Sequence, residues 1–405
     1  MPGAIASSIE TRQSWIIAAA AVVMLALAQG GPLTVVIGLV PIAETLGSGR
    51  SLPSSATSLA YLGSGVGGMI CGMLAARFGQ RRVAMMGGAS VVAGLWLASL
   101  GQGWSLLAGI GLGVGLFGNG ALFAPMVAYV SLWFDRRRGT ALALVSSGQY
   151  VAGFLWPPLF ERAIAAFGWQ ATMRAYGAVA AAVIVVLAAT VVAPAPAPMG
   201  GPTLRMAGRE RRVLGMRPNA AQALLAACSF LCCIPMAMPA AHLVAFCGDL
   251  GIAAPQGAAM LSVLLLAAFL SRQFWGWLSD RIGGLWTVFT GSAAQVAGML
   301  GFVATQDEAG LFLVAAAYGL GFGGIIPAYV LTIRQYFPAA EAAWRIPALL
   351  FVSASGMAAG AWLAGAIYDR VGFYAAAWWA GIGFNLVQLG LVAFLLLRQR
   401  REGHA

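Results

Sequence analysis

The sequence consists of long apolar runs separated by short segments rich in Arg, Gly and Pro. A helix needs about 20 apolar residues to cross the hydrocarbon core of a bilayer, and membrane-barrel strands are only about 10 residues long. The fold class predicted is therefore an all-α integral membrane protein. The pattern predicts twelve transmembrane helices, near residues 14–41, 56–76, 82–101, 104–133, 139–163, 170–192, 219–247, 254–278, 285–304, 309–336, 344–367 and 373–397.

A proline-rich segment divides these runs into two sets of six. Alternating prolines in residues 193–202 are incompatible with a helix, and a basic stretch containing Arg205, Arg209, Arg211 and Arg217 follows them. We therefore expect an N-terminal six-helix bundle over residues 1–193, a cytoplasmic linker over 194–217 and a C-terminal six-helix bundle over 218–405.

The composition agrees with a membrane protein and excludes several functions. Charged residues make up 9% of the chain, whereas a soluble domain has about a quarter. All basic residues are Arg, so the Lys of a Walker A loop or of a Schiff base is absent. The net charge of +11 comes from arginines between the apolar runs, which argues against a nucleic-acid partner. We expect no cofactor.

The distribution of these arginines predicts the orientation in the membrane. If both termini are cytoplasmic, 18 arginines fall in cytoplasmic segments and four in outer segments. The positive-inside rule favours this topology. The first apolar run, which starts near Trp15, lacks a small-residue cleavage site and is interpreted as a span. We therefore expect a multi-pass protein of the cell inner (plasma) membrane.

A short motif occurs twice, 204 residues apart, as GMLAARFGQRR (72–82) and GWLSDRIGGLW (276–286). The second copy resembles the signature loop of the major facilitator superfamily, whereas the first has Ala76 at the place of the acid. The resemblance implies two parallel six-helix repeats with a binding site near the membrane midplane. The gating residues it implies are Gly72, Arg77, Gly79, Arg81, Gly276, Asp280, Arg281 and Gly283.

Arg272 is a charged residue that lies deep within an apolar run, where a charge is unexpected. It lies roughly 12 Å from the boundary at Asp280, close to mid-membrane, where a charge costs about 3 kcal/mol or more. Acidic residues occur only near the ends of the predicted spans. An unpaired guanidinium facing a cavity is suited to a carboxylate, which it binds in bidentate fashion. The 204-residue repeat has Gly68 at the matching position.

Three segments resemble the monocarboxylate transporter family and the related oxalate/formate antiporters. They are residues 119–153, residues 242–252 and the segment SRQFWGWLSDRIG at 271–283. The resemblance implies that Arg272 holds the substrate carboxylate. Animal members have an Asp where Ala268 stands and a Lys on span 1, and oxalate exchangers have a second cation on span 11. This chain has none of the three, which favours a substrate with one carboxylate.

Other polar residues within the spans are secondary candidates for substrate binding. His242 can titrate near neutral pH and is the candidate for proton coupling. Gln149 and Asn119 lie near the middle of their spans, and Tyr329 is the preferred hydroxyl donor. Each of these side chains is equally compatible with a hydrogen bond between helices. Cys228 and Cys232 are interpreted as packing residues, and the GxGxxG-like segments 63–68 and 113–118 as helix contacts, so we expect no metal or dinucleotide site.

These features predict a secondary active transporter, not an enzyme. It would move a small monocarboxylate by alternating access, with either proton coupling or anion exchange. Its partners would be the organic anion, the lipid bilayer and, in symport, protons. The sequence leaves the oligomeric state open, and a monomer is compatible with this activity. Two alternatives stay open: an efflux pump for lipophilic compounds, and a membrane sensor or scaffold that transports nothing.

Overall fold

The computed structural model of the chain describes residues 9–194 and 212–402. These residues are helical apart from short loops and one isolated antiparallel bridge between Val213 and Met216. The predicted all-α fold is therefore confirmed. Most of the predicted linker, including Arg205, Arg209 and Arg211, lies outside the described residues.

Helices follow one another closely along the chain. The first half, up to residue 190, contains α1 (Arg12–Ile37), α2 (Leu39–Thr45), α3 (Ser51–Phe78), α4 (Gln80–Ala98), α5 (Gly103–Ala108), a π-helix (Gly109–Asn119), α6 (Gly120–Leu122), α7 (Ala124–Val130), α8 (Arg138–Ser146), α9 (Gly148–Phe167) and α10 (Trp169–Thr190). The second half contains α11 (Pro218–Asp249), α12 (Ala254–Ile282), α13 (Gly284–Ala304), α14 (Glu308–Phe322), α15 (Ile325–Tyr336), α16 (Ala339–Val371) and α17 (Ala375–Glu402).

Ten helical segments of the described chain are long and apolar enough to cross a membrane. They correspond to ten of the twelve predicted spans. The other two predicted spans, 82–101 and 139–163, are also helical, as α4 and as α8 with α9.

Four predicted spans are interrupted helices in the structure. Span 14–41 breaks at Gly38, and span 104–133 changes from α-helix to π-helix at Gly109. Span 139–163 breaks at Ser147, and span 309–336 breaks at Gly323 and Gly324. Glycines favour such irregular backbone because they have no Cβ and a low helix propensity. The hydropathy pattern does not predict these breaks, since an interrupted helix needs as apolar a surface as a regular one.

The repeated motif has the same backbone structure in both halves. Gly79 ends α3 with φ +85° and ψ 148°, and Gly283 ends α12 with φ +82° and ψ 163°. This left-handed region favours glycine, because a Cβ would strain the backbone there. The next helix begins at the following residue in each half, so the sequence repeat is also a structural repeat.

The glycine-rich segment 109–118 is a helix-packing surface. A Cβ on Gly113 would lie 2.4 Å from the Cα of Gly94 in α4, and one on Gly115 would lie 2.7 Å from the Cα of Ala60 in α3. Small residues allow such close backbone approaches within membranes. The packing interpretation of this GxGxxG-like segment is therefore confirmed.

This close approach predicts the effect of one methyl group. Gly115→Ala should destabilise the protein by about 1–3 kcal/mol, because backbone atoms of α3 occupy the space that the methyl needs. The measurement is the midpoint of thermal unfolding in detergent. Gly390→Ala in α17 is the control, since no heavy atom lies within 4 Å of its added Cβ. Equal midpoints for the two variants would contradict this account of the packing.

Candidate functional site

The two halves of the chain meet through two pairs of helices. Helix α3 packs against α16, and α9 packs against α12. We name the two ends of the molecule by their charge. The arginine-rich end carries the loops at 77–82 and 136–138 together with Arg281, and the arginine-poor end carries Arg50, Asp249, Asp369 and Tyr374.

Arg50 joins the halves at the arginine-poor end. Its guanidinium forms a bidentate ion pair with Asp249 at the end of α11, with both N–O distances 2.6 Å. The backbone N–H groups of Arg50 and Ser51 donate to the two carboxylate oxygens of Asp369 in α16, at 2.7 and 2.9 Å. Bidentate charge-assisted contacts are strong and directional. They hold the start of α3 against the second half.

Two tyrosines complete the surroundings of Arg50. Its Cζ lies 3.8 Å from the ring centroid of Tyr368, and its Nη1 donates to the hydroxyl of Tyr374 at 3.2 Å. Burial by itself lowers the pKa of Arg50, but the contacts with Asp249 and Tyr374 outweigh it and raise the pKa above its ordinary value. Burial raises the pKa of Tyr374, and nearby Arg50 opposes that rise without cancelling it. The phenol therefore stays protonated.

His242 belongs to the same network. Its Nε2 lies 2.8 Å from the carbonyl oxygen of Ala361 and 3.2 Å from the hydroxyl of Ser54, and its Nδ1 lies 2.9 Å from the hydroxyl of Tyr374. Because a carbonyl oxygen can only accept, Nε2 carries the hydrogen and Nδ1 accepts from the phenol. The neutral imidazole thus satisfies every contact. We call Arg50, Ser54, His242, Asp249, Asp369 and Tyr374 the closure network.

Arg272 lies apart from the closure network, at the contact between α9 and α12. Its guanidinium carbon is 5.2 Å from the ring centroid of Tyr150, which comes from the other half of the chain. Its Nη1 is buried and has no hydrogen-bond partner among the described residues. A buried donor on a charged group is costly when it is unsatisfied.

A stripe of three residues on α12 faces α9. Leu265 contacts Gly153, where an added Cβ would lie 2.4 Å from the Leu265 Cδ1. The rings of Phe269 and Phe154 have centroids 6.3 Å apart. Arg272 with Tyr150 is the next contact toward the arginine-rich end. Apolar contacts therefore close the interface on one side of Arg272, and the other side faces the arginine-rich end.

Helix α14 fixes the rotation of α12 that produces this stripe. A Cβ on Gly319 would lie 2.1 Å from the carbonyl oxygen of Leu264, and one on Gly323 would lie 2.4 Å from that of Ala268. The Ser271 hydroxyl also lies 3.3 Å from the carbonyl oxygen of Gly319. The face of α12 that carries Ala268 is therefore buried against α14. Arg272 lies on the adjoining face.

Three of the four other predicted binding residues have hydrogen-bond partners other than Arg272 in this conformation. Asn119 donates to the side chain of Gln29 at 2.5 Å, within the first half. The hydroxyl of Tyr329 accepts from Gln388 at 3.1 Å, within the second half. His242 lies in the closure network. Gln149 is half-buried and immediately precedes Tyr150.

The sequence analysis missed the tyrosine beside Arg272 and the ionic contacts of the closure network. Tyr150 could have been noticed as the neighbour of Gln149. The charges of the network could not, because their pairing joins positions about 200 or 320 residues apart.

The signature loops lie at the arginine-rich end and face open space. A Cβ on Gly72 or on Gly276 would meet no heavy atom within 4 Å. The guanidinium of Arg281 lies over the ring of Trp277, 4.1 Å from its centroid, and that of Arg77 over Phe78. Arg81 and Asp280 are exposed. At Gly72 and Gly276, both copies of the motif thus border open space.

The described residues contain no group of three or more His, Cys, Asp or Glu side chains that could hold a metal ion. Cys228 and Cys232 are buried, and the thiol of Cys232 lies near Ser292 and Gln295. These contacts are those of packing residues.

Loss of the Arg50 side chain should loosen the arginine-poor end. Truncating one partner of a buried charge pair costs about 2–5 kcal/mol. In Arg50→Ala the arginine-poor end should therefore open at least tenfold more often than in the parent protein. The measurement is the rate of maleimide labelling of Ser58→Cys, whose parent hydroxyl is buried and donates to Ala358, after the native cysteines are replaced.

Thr45→Cys, at an exposed position of the same end, is the labelling control. Its rate should be the same with and without Arg50. An unchanged rate at Ser58→Cys in the Arg50→Ala background would show that the ion pair does not hold the interface closed.

Known proteins resemble this chain in sequence and in fold. The family model described as Major Facilitator Superfamily matches residues 18–343 and 223–405. Monocarboxylate transporter 13 of Bos taurus is 27% identical over 335 residues, which cover 80% of this chain and 75% of that protein. MFS-type transporter 1 of Ophiocordyceps sp. (strain BCC 1869) is 25% identical over 347 residues, covering 82% and 73%.

The fold is similar to that of a solved transporter. The crystal structure of the nucleoside transporter NupG matches with a TM-score of 0.76 and 12% identity, over 95% of this chain and 100% of that one. At this identity the likeness concerns the fold alone. With the family model covering nearly the whole chain, and transporters among its relatives and structural neighbours, this protein is a multi-pass membrane protein and a secondary transporter that belongs to the Major Facilitator Superfamily.

Proposed function

We propose that the protein transports a small organic anion with one carboxylate, which binds to Arg272. The observation that carries this proposal is the buried Nη1 of Arg272, which has no partner among the described residues. A carboxylate would satisfy it and neutralise the guanidinium in one bidentate contact. The similarity to monocarboxylate transporter 13 supports the same substrate class.

The surroundings of Arg272 favour a monoanion with an apolar tail. Tyr150 offers a ring face and a hydroxyl beside the guanidinium, and Phe154 and Phe269 lie next along the same interface. Asp249 and Asp369 make their contacts in the closure network, away from Arg272. An uncompensated positive site of this kind disfavours lipophilic cations, so the efflux alternative gains no support.

We propose that the bundles 1–193 and 218–405, joined by the linker 194–217, rock about the Arg272 site. In the present conformation the closure network joins the halves at the arginine-poor end, and Gly72 and Gly276 are uncovered at the other end. With both termini in the cytoplasm of an inner-membrane protein, this conformation faces inward. Alternation requires the closure network to break while the signature loops approach the opposite half.

Coupling in this proposal is either anion exchange or proton symport. For symport, His242 is the residue on which a proton would act. Its contacts are satisfied in the neutral form, and a proton on it would add a positive charge beside Arg50, facing Tyr374 and Asp369. Protonation would therefore disfavour closure of the arginine-poor end. Uptake that accelerates under an imposed pH gradient identifies symport, whereas uptake that depends only on internal anion identifies exchange.

Removal of the Arg272 guanidinium should abolish recognition of the carboxylate. We expect Arg272→Ala to raise the substrate concentration for half-maximal counterflow by about a hundredfold, because loss of a charge-assisted bidentate contact costs about 2–5 kcal/mol. Arg272→Lys keeps the charge but lacks the planar guanidinium, so its half-maximal concentration should lie between those of the parent protein and of Arg272→Ala. The measurement is counterflow in proteoliposomes with short-chain, keto, hydroxy and aromatic acids.

Arg174→Ala is the matched control, since Arg174 is exposed and far from the site in sequence and depth. It should transport like the parent protein. Full carboxylate counterflow by Arg272→Ala would refute the proposed site.

Closure of the arginine-rich end should be blocked by a bulky residue at Gly72. Gly72→Leu meets open space in the present conformation, so the thermal midpoint should not fall. Counterflow should fall at least tenfold, because the added side chain would obstruct the approach of the second half. Gly383→Leu on the exposed face of α17 is the control and should keep normal counterflow. Normal counterflow by Gly72→Leu would contradict the proposed movement.

A further inference from the structure

A cavity lies in the first half, at the arginine-rich end and away from Arg272. It has a volume of about 1120 Å³, is open on one side and is bordered by the ends of α3, α4, α7 and α10. Phe78, Met85, Leu132 and Val192 give it an apolar wall. Gln80, Arg81 and Arg82 give it a polar corner. None of these side chains belongs to the proposed substrate site at Arg272, although Arg81 is also one of the predicted gating residues.

Gln80 is the feature of this cavity that lacks a structural explanation. Its side chain is 8% exposed, and both its amide nitrogen and its amide oxygen are buried without a hydrogen-bond partner among the described residues. Buried polar atoms are nearly always hydrogen-bonded, so such a group calls for a ligand. The amide can donate to one ligand atom and accept from another.

The polar corner is also positively charged. Gln80 is the first residue of α4, and the N-cap residue Gly79 provides no side-chain hydrogen bond to the helix. The first turn of a helix has backbone N–H groups without helical partners and carries a partial positive charge, which attracts anions. Arg81 and Arg82 are exposed at the same turn and add two full charges.

The equivalent corner of the second half is filled by the protein itself. There Gly284, Leu285 and Trp286 replace Gln80, Arg81 and Arg82 at the 204-residue offset. The N–H of Gly284 donates to the side chain of Gln335 at 3.1 Å, and a Cβ on Gly284 would lie 2.3 Å from the hydroxyl of Thr332. The helix start that follows Gly283 is thus capped and tightly packed, whereas the equivalent helix start that follows Gly79 borders a basic cavity.

We propose that this cavity binds the phosphate head group of an anionic phospholipid from the leaflet at the arginine-rich end. The phosphate would contact the first turn of α4, the Gln80 amide and the guanidinium groups of Arg81 and Arg82. The acyl chains would lie along Met85, Leu132 and Phe78. A free phosphate would satisfy the polar corner but leave the apolar wall uncovered, and an uncharged lipid would do the reverse. The combination selects a lipid with a negative head group.

Native mass spectrometry of the delipidated full chain tests this proposal. Phosphatidylglycerol, phosphatidylcholine and diacylglycerol are added separately at equal concentrations, and the bound fraction is measured. We expect the adduct with phosphatidylglycerol to exceed each of the others at least fivefold. Glycerol 3-phosphate at the same concentration, which carries the head-group charge without acyl chains, should not displace the bound lipid.

Two variants target the polar corner and leave the apolar wall unchanged. Gln80→Glu keeps the size of the side chain but repels phosphate, and Arg81→Ala with Arg82→Ala removes two charges. Each should lower the fraction bound to phosphatidylglycerol about tenfold. Arg136→Ala with Arg137→Ala removes the same charge from exposed positions of the same end, outside the cavity, and should bind like the parent. The midpoint of thermal unfolding, measured for each variant, is the control for folding.

Three results would overturn the proposal. The first is equal loss of lipid in the Arg136/Arg137 control, which would indicate a general surface attraction. The second is unchanged binding in both corner variants. The third is displacement by glycerol 3-phosphate at equal concentration, which would identify a site for free anions. None of these readouts depends on transport, so they leave the Arg272 proposal to its own test.

Discussion

A charge that is taken out of water has to be satisfied by the protein or by a ligand, and the two arginines at the contacts between the halves meet that constraint in opposite ways. The Arg50 side chain pairs with Asp249, and the Arg50 backbone N–H donates to Asp369, so Arg50 joins the halves. The buried Nη1 of Arg272 has no hydrogen-bond partner among the described residues. The first arginine is thus neutralised within the protein, whereas the second is the group that we propose a ligand neutralises.

These two arginines divide the interface between the halves into two levels. At the arginine-poor end, the closure network links Arg50 through Tyr374 to the neutral ring of His242. Deeper in the interface, the apolar contacts of Leu265 and Phe269 end at Arg272. The ligand that we propose at Arg272 would lie beyond the closed part of the interface and would face the end where Gly72 and Gly276 are uncovered. Residues that break the network would change access to the site without touching the ligand.

The two halves share a backbone plan but have diverged in how they use it. Gly79 and Gly283 end equivalent helices with nearly the same φ and ψ. The helix after Gly283 is capped by Gln335, whereas the helix after Gly79 opens into the cavity that contains Gln80. Likewise Arg272 corresponds to Gly68 in the first half. The two halves thus share a backbone structure, and single side chains give each half different chemistry.

The amino-acid sequence alone predicted the all-α membrane fold and the repeat, because both depend on local composition and spacing, and it singled out Arg272 as a candidate binding residue because a charged side chain is costly in lipid. It did not determine the breaks at Ser147 and Gly323, since an interrupted helix keeps the same hydropathy. Nor did it determine which polar groups would meet. Asn119, Tyr329 and His242 all stood out as polar residues in apolar runs, yet tertiary packing gave each a different neighbour. Hydrogen bonding extends only about 3 Å, so residues distant in the chain become partners only when helices are packed at fixed rotations.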